Sequence, residues 1–197
     1  MLKWLISLGL VGVVGCGRVS PIQPTNTAPL LVGLAGQSNS ILLRPFLNQI
    51  VDVVGAGDEV TTISCWREDG QCWQQLKPTI RNIDAFVWWQ GESDVAERTR
   101  GSVYAEALDD LMHRVRAAAG NHKLFVVVMQ MGTAYSGNLP DGAYQRAFQW
   151  TLQDENAAWV ETQDLEYRWW DTAHMTERGY QDVSRRIMGI VHTRLGR

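Results

Sequence analysis

Three runs of apolar residues constrain this chain more than any other feature. Residues 29–35 (PLLVGLA), 84–90 (DAFVWWQ) and 123–130 (KLFVVVMQ) are apolar at consecutive rather than alternate positions. A strand apolar on both faces must be covered on both, as in a parallel sheet between two layers of helices. The intervening segments fit that layout. Residues 102–119 place Tyr104, Leu108, Leu111, Met112 and Val115 on one helical face, with Gly120 where a C-terminal cap belongs. Residues 177–195 do the same with Tyr180, Val183, Ile187, Ile190 and Val191. A third helix is expected from about Pro140, a good first-turn residue, to Asp154. A short amphipathic stretch carries Ile41, Leu42, Phe46 and Ile50, and residues 51–54, 60–65 and 158–162 read as further strands. The expectation is an α/β domain over residues 29–197, with a central parallel sheet of about five strands.

The chain opens MLKWLISLGLVGVVGC. Its apolar run is too short to span a bilayer comfortably and has the length of a signal-peptide core. The run ends in Val13-Val14-Gly15-Cys16, which resembles a bacterial lipobox. That resemblance implies a signal peptide over residues 1–15 and a lipidated Cys16 as the mature N-terminus. Residues 16–28 would then tether the domain to a membrane of the cell envelope, in a bacterial or phage-encoded protein. An ordinary signal peptide or a retained N-terminal anchor are the alternatives. Export permits a disulfide between Cys65 and Cys72, seven residues apart in CWREDGQC. Two free thiols or a metal pair are the other readings, and no further His or Cys lies nearby in sequence to complete a zinc site. No metal and no cofactor are expected. Lys plus Arg number 18 against 21 acidic residues, which argues against a nucleic-acid binder working through a basic surface.

Three polar clusters punctuate the apolar pattern: GQSNS at 36–40, QGESD at 90–94 and DTAH at 171–174. The first two follow strands, and ligands in parallel sheets bind beyond the carboxyl ends of strands. Ser38, on a tight strand-to-helix turn, can present its hydroxyl while its own N–H faces a developing oxyanion. The competing reading is a helix N-cap serine. Serine needs a neighbouring base. Asp171 and His174, three apart in a polar turn before the last helix, supply one: the carboxylate can fix the imidazole tautomer and stabilise the imidazolium. Glu92 either orients His174 in place of Asp171 or braces the turns by accepting N–H bonds. Asp94 reads as a cap. Arg146 could pair with Glu92 or with a substrate acid.

In this order, GQSNS, WWQGESD and DTAH resemble the SGNH hydrolase superfamily, and within it the sialate O-acetylesterase and family 6 carbohydrate esterase branch. Residues 144–149 (YQRAFQ) resemble that branch's Arg-x-x-Gln helix, and the likeness spans residues 29–195. The second block begins Trp89-Gln90 where the branch has His-Gln. The resemblance implies a flavodoxin-like three-layer α/β/α sandwich, with Ser38 as nucleophile, His174 as general base and acid, and Asp171 as its partner. It also implies an oxyanion hole built from Ser38 N–H, a glycine N–H and a side-chain amide. Gln90 is the expected amide and Asn39 its rival; Gly55, Gly57 and Gly70 are candidates for the glycine.

Tryptophan is unusually frequent, with nine in the chain. Core packing should absorb most of them. Trp66 and Trp73, around the cysteine segment, are the expected exposed stacking residues, while Trp170 flanks the third cluster. Trp88 and Trp89 must face opposite sides of their strand, so at most one lines a site. The function expected from the resemblance is removal of O-acetyl groups from carbohydrate such as sialic acid, a xylan-like polymer or an envelope glycan. A lipid esterase or thioesterase on the same fold, and a catalytically weak glycan-binding envelope lipoprotein, are the alternatives.

Overall fold

The computed structural model describes residues 29–58, 60–132 and 143–197. The expected signal peptide, Cys16, the tether and the helix start at Pro140 lie outside the described residues. Strands and helices alternate as β1 (Leu31–Gly36), α1 (Ser38–Leu47), β2 (Asp52–Val54), α2 (Gln71–Leu76), β3 (Ala85–Trp89), α3 (Glu92–Ala96), α4 (Gly101–Ala119) and β4 (Phe125–Met129). They continue with α5 (Ala143–Gln153), β5 (Ala157–Val160), β6 (Tyr167–Arg168), β7 (Asp171–Met175) and α6 (Glu177–Leu195). Five strands form one sheet in the order β2-β1-β3-β4-β5, and every neighbouring pair is parallel. This is the flavodoxin-like order, whose switch point lies between β1 and β3.

Both faces of the sheet are dry. Phe86, Trp88, Val126 and Val128 project toward α2, α4 and α5, where Trp66, Tyr104, Leu108, Leu111 and Val115 complete one core. Ala85, Val87, Trp89, Val127 and Met129 project the other way, against Leu43 and Leu47 of α1 and Tyr180, Val183, Ile187 and Val191 of α6. Consecutive apolar residues in β3 and β4 are thus required by two cores, not one. α4 ends as expected, with Gly120 in the left-handed region at φ 73° and its N–H bonded to Ala117 O. Thr176 caps α6 by accepting from Gly179 N–H at 3.2 Å. Among the described residues, no helix is long and apolar enough to cross a membrane.

Two expected elements differ. Residues 60–65 form no strand; Ile63–Trp66 is a 3₁₀ turn that turns Ile63 and Trp66 inward. Ile63 N–H donates to the Asp94 carboxylate at 2.8 Å rather than to a neighbouring strand. Cys65 and Cys72 are disulfide-bonded, joining this turn to α2. The grouping of Asp58, Cys65 and Cys72 therefore has no free thiolate for a metal. The DTAH segment is not a turn but β7, the second strand of an antiparallel hairpin with β6.

Candidate active site

Ser38 is placed by what β1 does at its end. Gly36 has φ 142°, and a Cβ there would lie 1.9 Å from Trp89 O, so only glycine lets the chain pass that close. Gln37 N–H then donates to the same carbonyl at 3.0 Å, and α1 begins at Ser38. Ser38 sits at the first turn, where backbone N–H groups have no acceptor within the helix. Its side chain is half-buried.

The β6–β7 hairpin brings the second half of the site. His174 Nε2 lies 2.9 Å from Ser38 Oγ across 136 residues of chain. His174 Nδ1 lies 2.5 Å from Asp171 Oδ2, and Asp171 Oδ1 accepts from Ala173 N–H at 3.0 Å. Burial pushes the Asp171 carboxyl up, but the hydrogen bonds from His174 and the Ala173 N–H outweigh it and hold it below its ordinary range. Asp171 is thus an anion across the working range of a histidine base, which suits it to stabilise an imidazolium. A cleft of about 490 Å³ opens over Ser38 and His174, walled by Gln37, Ile41, Leu42, Val60, Glu92, Ser93, Ala96 and Ala173.

The polar clusters hold one another. Asn39 Nδ2 donates to Glu92 Oε1 at 2.9 Å and to Ala173 O at 3.0 Å, while its Oδ1 accepts from Tyr180 Oη at 2.7 Å. Gln37 Oε1 accepts from Gly91 N–H and Ser93 N–H, and its Nε2 donates to Ser93 Oγ. Glu92 therefore braces α1 through Asn39, and burial raises its carboxyl above the usual carboxylate range. Its second oxygen has no hydrogen-bond partner among the described residues. Asp171, not Glu92, contacts His174 Nδ1. Burial likewise raises Asp94, although Gln90, Thr99 and Ile63 N–H all donate to it.

The expectation for Gln90 is corrected. It is 2% exposed, and its amide donates to Thr61 O at 2.9 Å and to Asp94 Oδ2 at 2.5 Å. Both amide hydrogens are committed, one to the loop that follows β2 and one to Asp94 of α3, so neither can serve an oxyanion. Asn39, the rival, is spent as a brace. Among the candidate glycines, Gly57 bridges Gly36 beside the Ser38 turn, with an ideal Cβ 2.9 Å from Ser40 Oγ. Gly55 lies lower, against Leu34 O, and Gly70 packs on Cys65 O in the disulfide loop. Arg146 donates to Gln149 Oε1 in its own helix.

The tryptophan expectation is also corrected. Trp66 is 1% exposed and packs edge-on to Trp88 at 5.1 Å; Trp73 is 2% exposed beneath the Arg114 guanidinium at 4.5 Å. Trp88 and Trp89 are both fully buried on opposite faces, so neither lines the cleft. The exposed pair is Trp169 and Trp170, at the tip of the β6–β7 hairpin. Gln37 and Tyr180 were missed as site residues. Gln37 carries no local signal because its partners are more than 50 positions away, and Tyr180 reads as an ordinary apolar-face residue of α6.

No curated protein matches the chain by sequence. Residues 42–192 match the family described as carbohydrate esterase, sialic acid-specific acetylesterase. The chain belongs to this family. The match begins past Ser38, so the serine's place in the esterase rests on the geometry above. Solved structures share the fold. A protein of Arabidopsis thaliana is 13% identical, with a TM-score of 0.65 over 84% of the esterase and 98% of its own chain. A carbohydrate acetylesterase from Xanthomonas citri is 13% identical, with a TM-score of 0.64 over 86% of the esterase and 57% of its own chain. A GDSL-like lipase from Bacteroides thetaiotaomicron is 15% identical, with a TM-score of 0.54 over 87% and 92%. Structures named as a carbohydrate acetylesterase and a GDSL-like lipase thus share its fold.

Proposed function

We propose that this carbohydrate esterase removes O-acetyl groups from glycans through a covalent acetyl-Ser38 intermediate. The observation that carries the reading is the continuous line from Ser38 Oγ through His174 to Asp171, with contacts of 2.9 Å and 2.5 Å. Ser38 Oγ attacks the acetyl carbonyl as His174 Nε2 takes its proton, and Asp171 stabilises the imidazolium. The tetrahedral oxyanion faces the N-terminus of α1, where Ser38 N–H and the backbone at Gly57 are the donors. Collapse expels the sugar oxygen, which takes the proton from His174. Water then attacks the acetyl-enzyme by the same route and releases acetate.

Cys16 would carry a lipid and hold the enzyme in the cell envelope. The substrate would then be an O-acetylated surface glycan, peptidoglycan or a host glycan, including sialic acid. One observation favours a second reading, a lipid esterase or thioesterase: Ile41, Leu42, Val60, Ala96 and Ala173 make much of the cleft wall apolar.

Acetate release by the full chain, from an aryl acetate and a panel of acetylated glycans, tests the proposal. Ser38→Ala should lose about 10³-fold or more in kcat. Equal release by both proteins, or none from folded wild type, would overturn it.

A further inference from the structure

Trp169 and Trp170 are the two residues between the paired positions Arg168 and Asp171 of the β6–β7 hairpin. They are 88% and 65% exposed. Their rings meet edge to face, with centroids 5.4 Å apart and planes at 81°. Neither indole N–H has a hydrogen-bond partner among the described residues. Turn chemistry does not explain the pair. Tight two-residue hairpins favour left-handed residues such as Asn-Gly, yet among the described non-glycine residues only Asn82 and Arg98 have positive φ. Packing does not explain it either, since a tryptophan stabilises a fold by being buried.

We infer that Trp169 and Trp170 form a stacking subsite for a sugar ring next to the acetylated one, so that the preferred substrate is an O-acetylated oligosaccharide rather than a single sugar. This rests on the O-acetylesterase reading above. Trp170 is bonded to Asp171, and the order from the nucleophile outward is Ser38, His174, Asp171, Trp170. The ring that carries the ester occupies the cleft over Ser38 and His174. Neither tryptophan belongs to the cleft wall, so the ring they meet is a neighbour along the glycan. The C–H face of a pyranose is weakly positive and apolar, and fits the electron-rich face of an indole. The free indole N–H groups can donate to sugar hydroxyls.

A bilayer interface also recruits exposed tryptophan, but the surroundings oppose that occupant. Asp171 adjoins the pair and exposed Glu166 lies just before the hairpin, outnumbering the cation beside it, half-buried Arg168, whose guanidinium donates to Met175 O. Inserting the tip would press these carboxylates toward anionic headgroups, and would take the partner of His174 out of water.

The test uses the full chain with three probes: chemically acetylated xylotetraose, acetylated methyl xyloside and 4-nitrophenyl acetate. Wild type should favour the tetraose over the one-ring ester in kcat/KM. In Trp169→Ala and Trp170→Ala that preference should fall about tenfold, mainly through KM, and Trp169→Phe should recover part of it. A preference that survives both alanine changes, or a parallel fall on all three probes, would overturn the subsite. Ser38-dependent cleavage of 4-nitrophenyl acetate with no cleavage of either sugar ester would instead overturn the carbohydrate reading beneath it. Vesicle binding lost in the alanine variants, with the tetraose preference intact, would assign the pair to a membrane and overturn the subsite.

Discussion

Asn39 donates to Glu92 and to Ala173 O while accepting from Tyr180, so a single side-chain amide ties α1 to α3, β7 and α6. The tie to Ala173 O holds the strand that carries His174 against the helix that begins at Ser38. Asn39→Ala leaves the Tyr180 hydroxyl and the Glu92 carboxyl short of a buried partner, at about 1–3 kcal/mol for each group left unsatisfied. The expected loss is about 2–4 kcal/mol in urea unfolding, together with a fall in kcat of about tenfold or more because β7 is freed from α1. An unchanged urea midpoint would remove Asn39 from its bracing role. Glu92 permits a pH test whose sign can be worked out. Its folded-state pKa is raised above the ordinary 4.5, chiefly by burial. A raised folded pKa gives stability that is fully present below the unfolded pKa and is lost as pH rises through the folded one. Wild type should therefore lose stability as pH climbs from about 4.5 through that higher pKa. Glu92→Gln keeps an acceptor for Asn39 and cannot ionise, so its urea midpoint should gain on wild type over the same interval. Asp171 runs the other way: its folded pKa is depressed, so its contribution is present above its unfolded pKa and lost as pH falls through the folded one.

At the level of elements, the turn that ends β1 is the one the site can least afford to alter. Gly36→Ala would set a methyl against Trp89 O at a φ that L-residues avoid, and the strain must push β1 from β3 where both hold active-site turns. A loss of more than about 2 kcal/mol in urea unfolding, accompanied by loss of activity, is expected; a variant as stable and active as wild type would show that the close approach is not needed. The Cys65–Cys72 bridge closes a short loop, worth about 2–3 kcal/mol by chain entropy. A reductant titration followed by thermal unfolding should show that loss. These elements also mark what could be read from sequence. β1, β3 and β4 were legible because two cores demand apolar residues at every position, and α4 and α6 because one face of each is apolar, with Gly120 marking the end of α4. Residues 60–65 misled because their β-branched composition suits a strand, while the disulfide and the Asp94 carboxylate fold them into a turn. DTAH was found as chemistry but not as a strand: among the described residues its strand partner is the two-residue β6, too short to show a period. Gln90 was misassigned for a different reason. An amide beside a catalytic cluster looks available until its two acceptors, Thr61 O and Asp94, are seen.

On the scale of the whole molecule, the sheet order puts β1 beside β3, so the turns bearing Ser38 and Glu92 emerge side by side at the switch point, and α6 carries the β7 hairpin over them. A cleft results there, and its size poses a question about the acyl group. An acetyl ester adds only one methyl beyond the reacting carbon, whereas the cleft measures about 490 Å³ and is largely apolar. If an acyl chain occupied it, each added methylene would bury about 0.8 kcal/mol of apolar surface, and kcat/KM would climb about fourfold per methylene from acetyl to butyryl and beyond. If a sugar ring occupies it, the ring covers Ile41 and Leu42 while its hydroxyls meet Gln37 and Ser93, and the acyl group is confined beside Ser38. A longer chain must then displace the sugar or clash, and butyryl should fall about tenfold or more below acetyl on the same alcohol. On the O-acetylesterase reading, which membership in a carbohydrate esterase family supports, the sugar takes the cleft, so the expected order is acetyl, propionyl, butyryl, with kcat/KM falling at each step. A series of aryl esters, whose ring stands in for the sugar in the cleft, gives a first measure of this. Repeating it on acylated oligosaccharides should steepen the decline, because a ring held by Trp169 and Trp170 leaves a longer acyl chain no room to trade places with the sugar. A rise at each methylene in either series would give the cleft to the acyl chain and make the lipid-esterase reading the correct one.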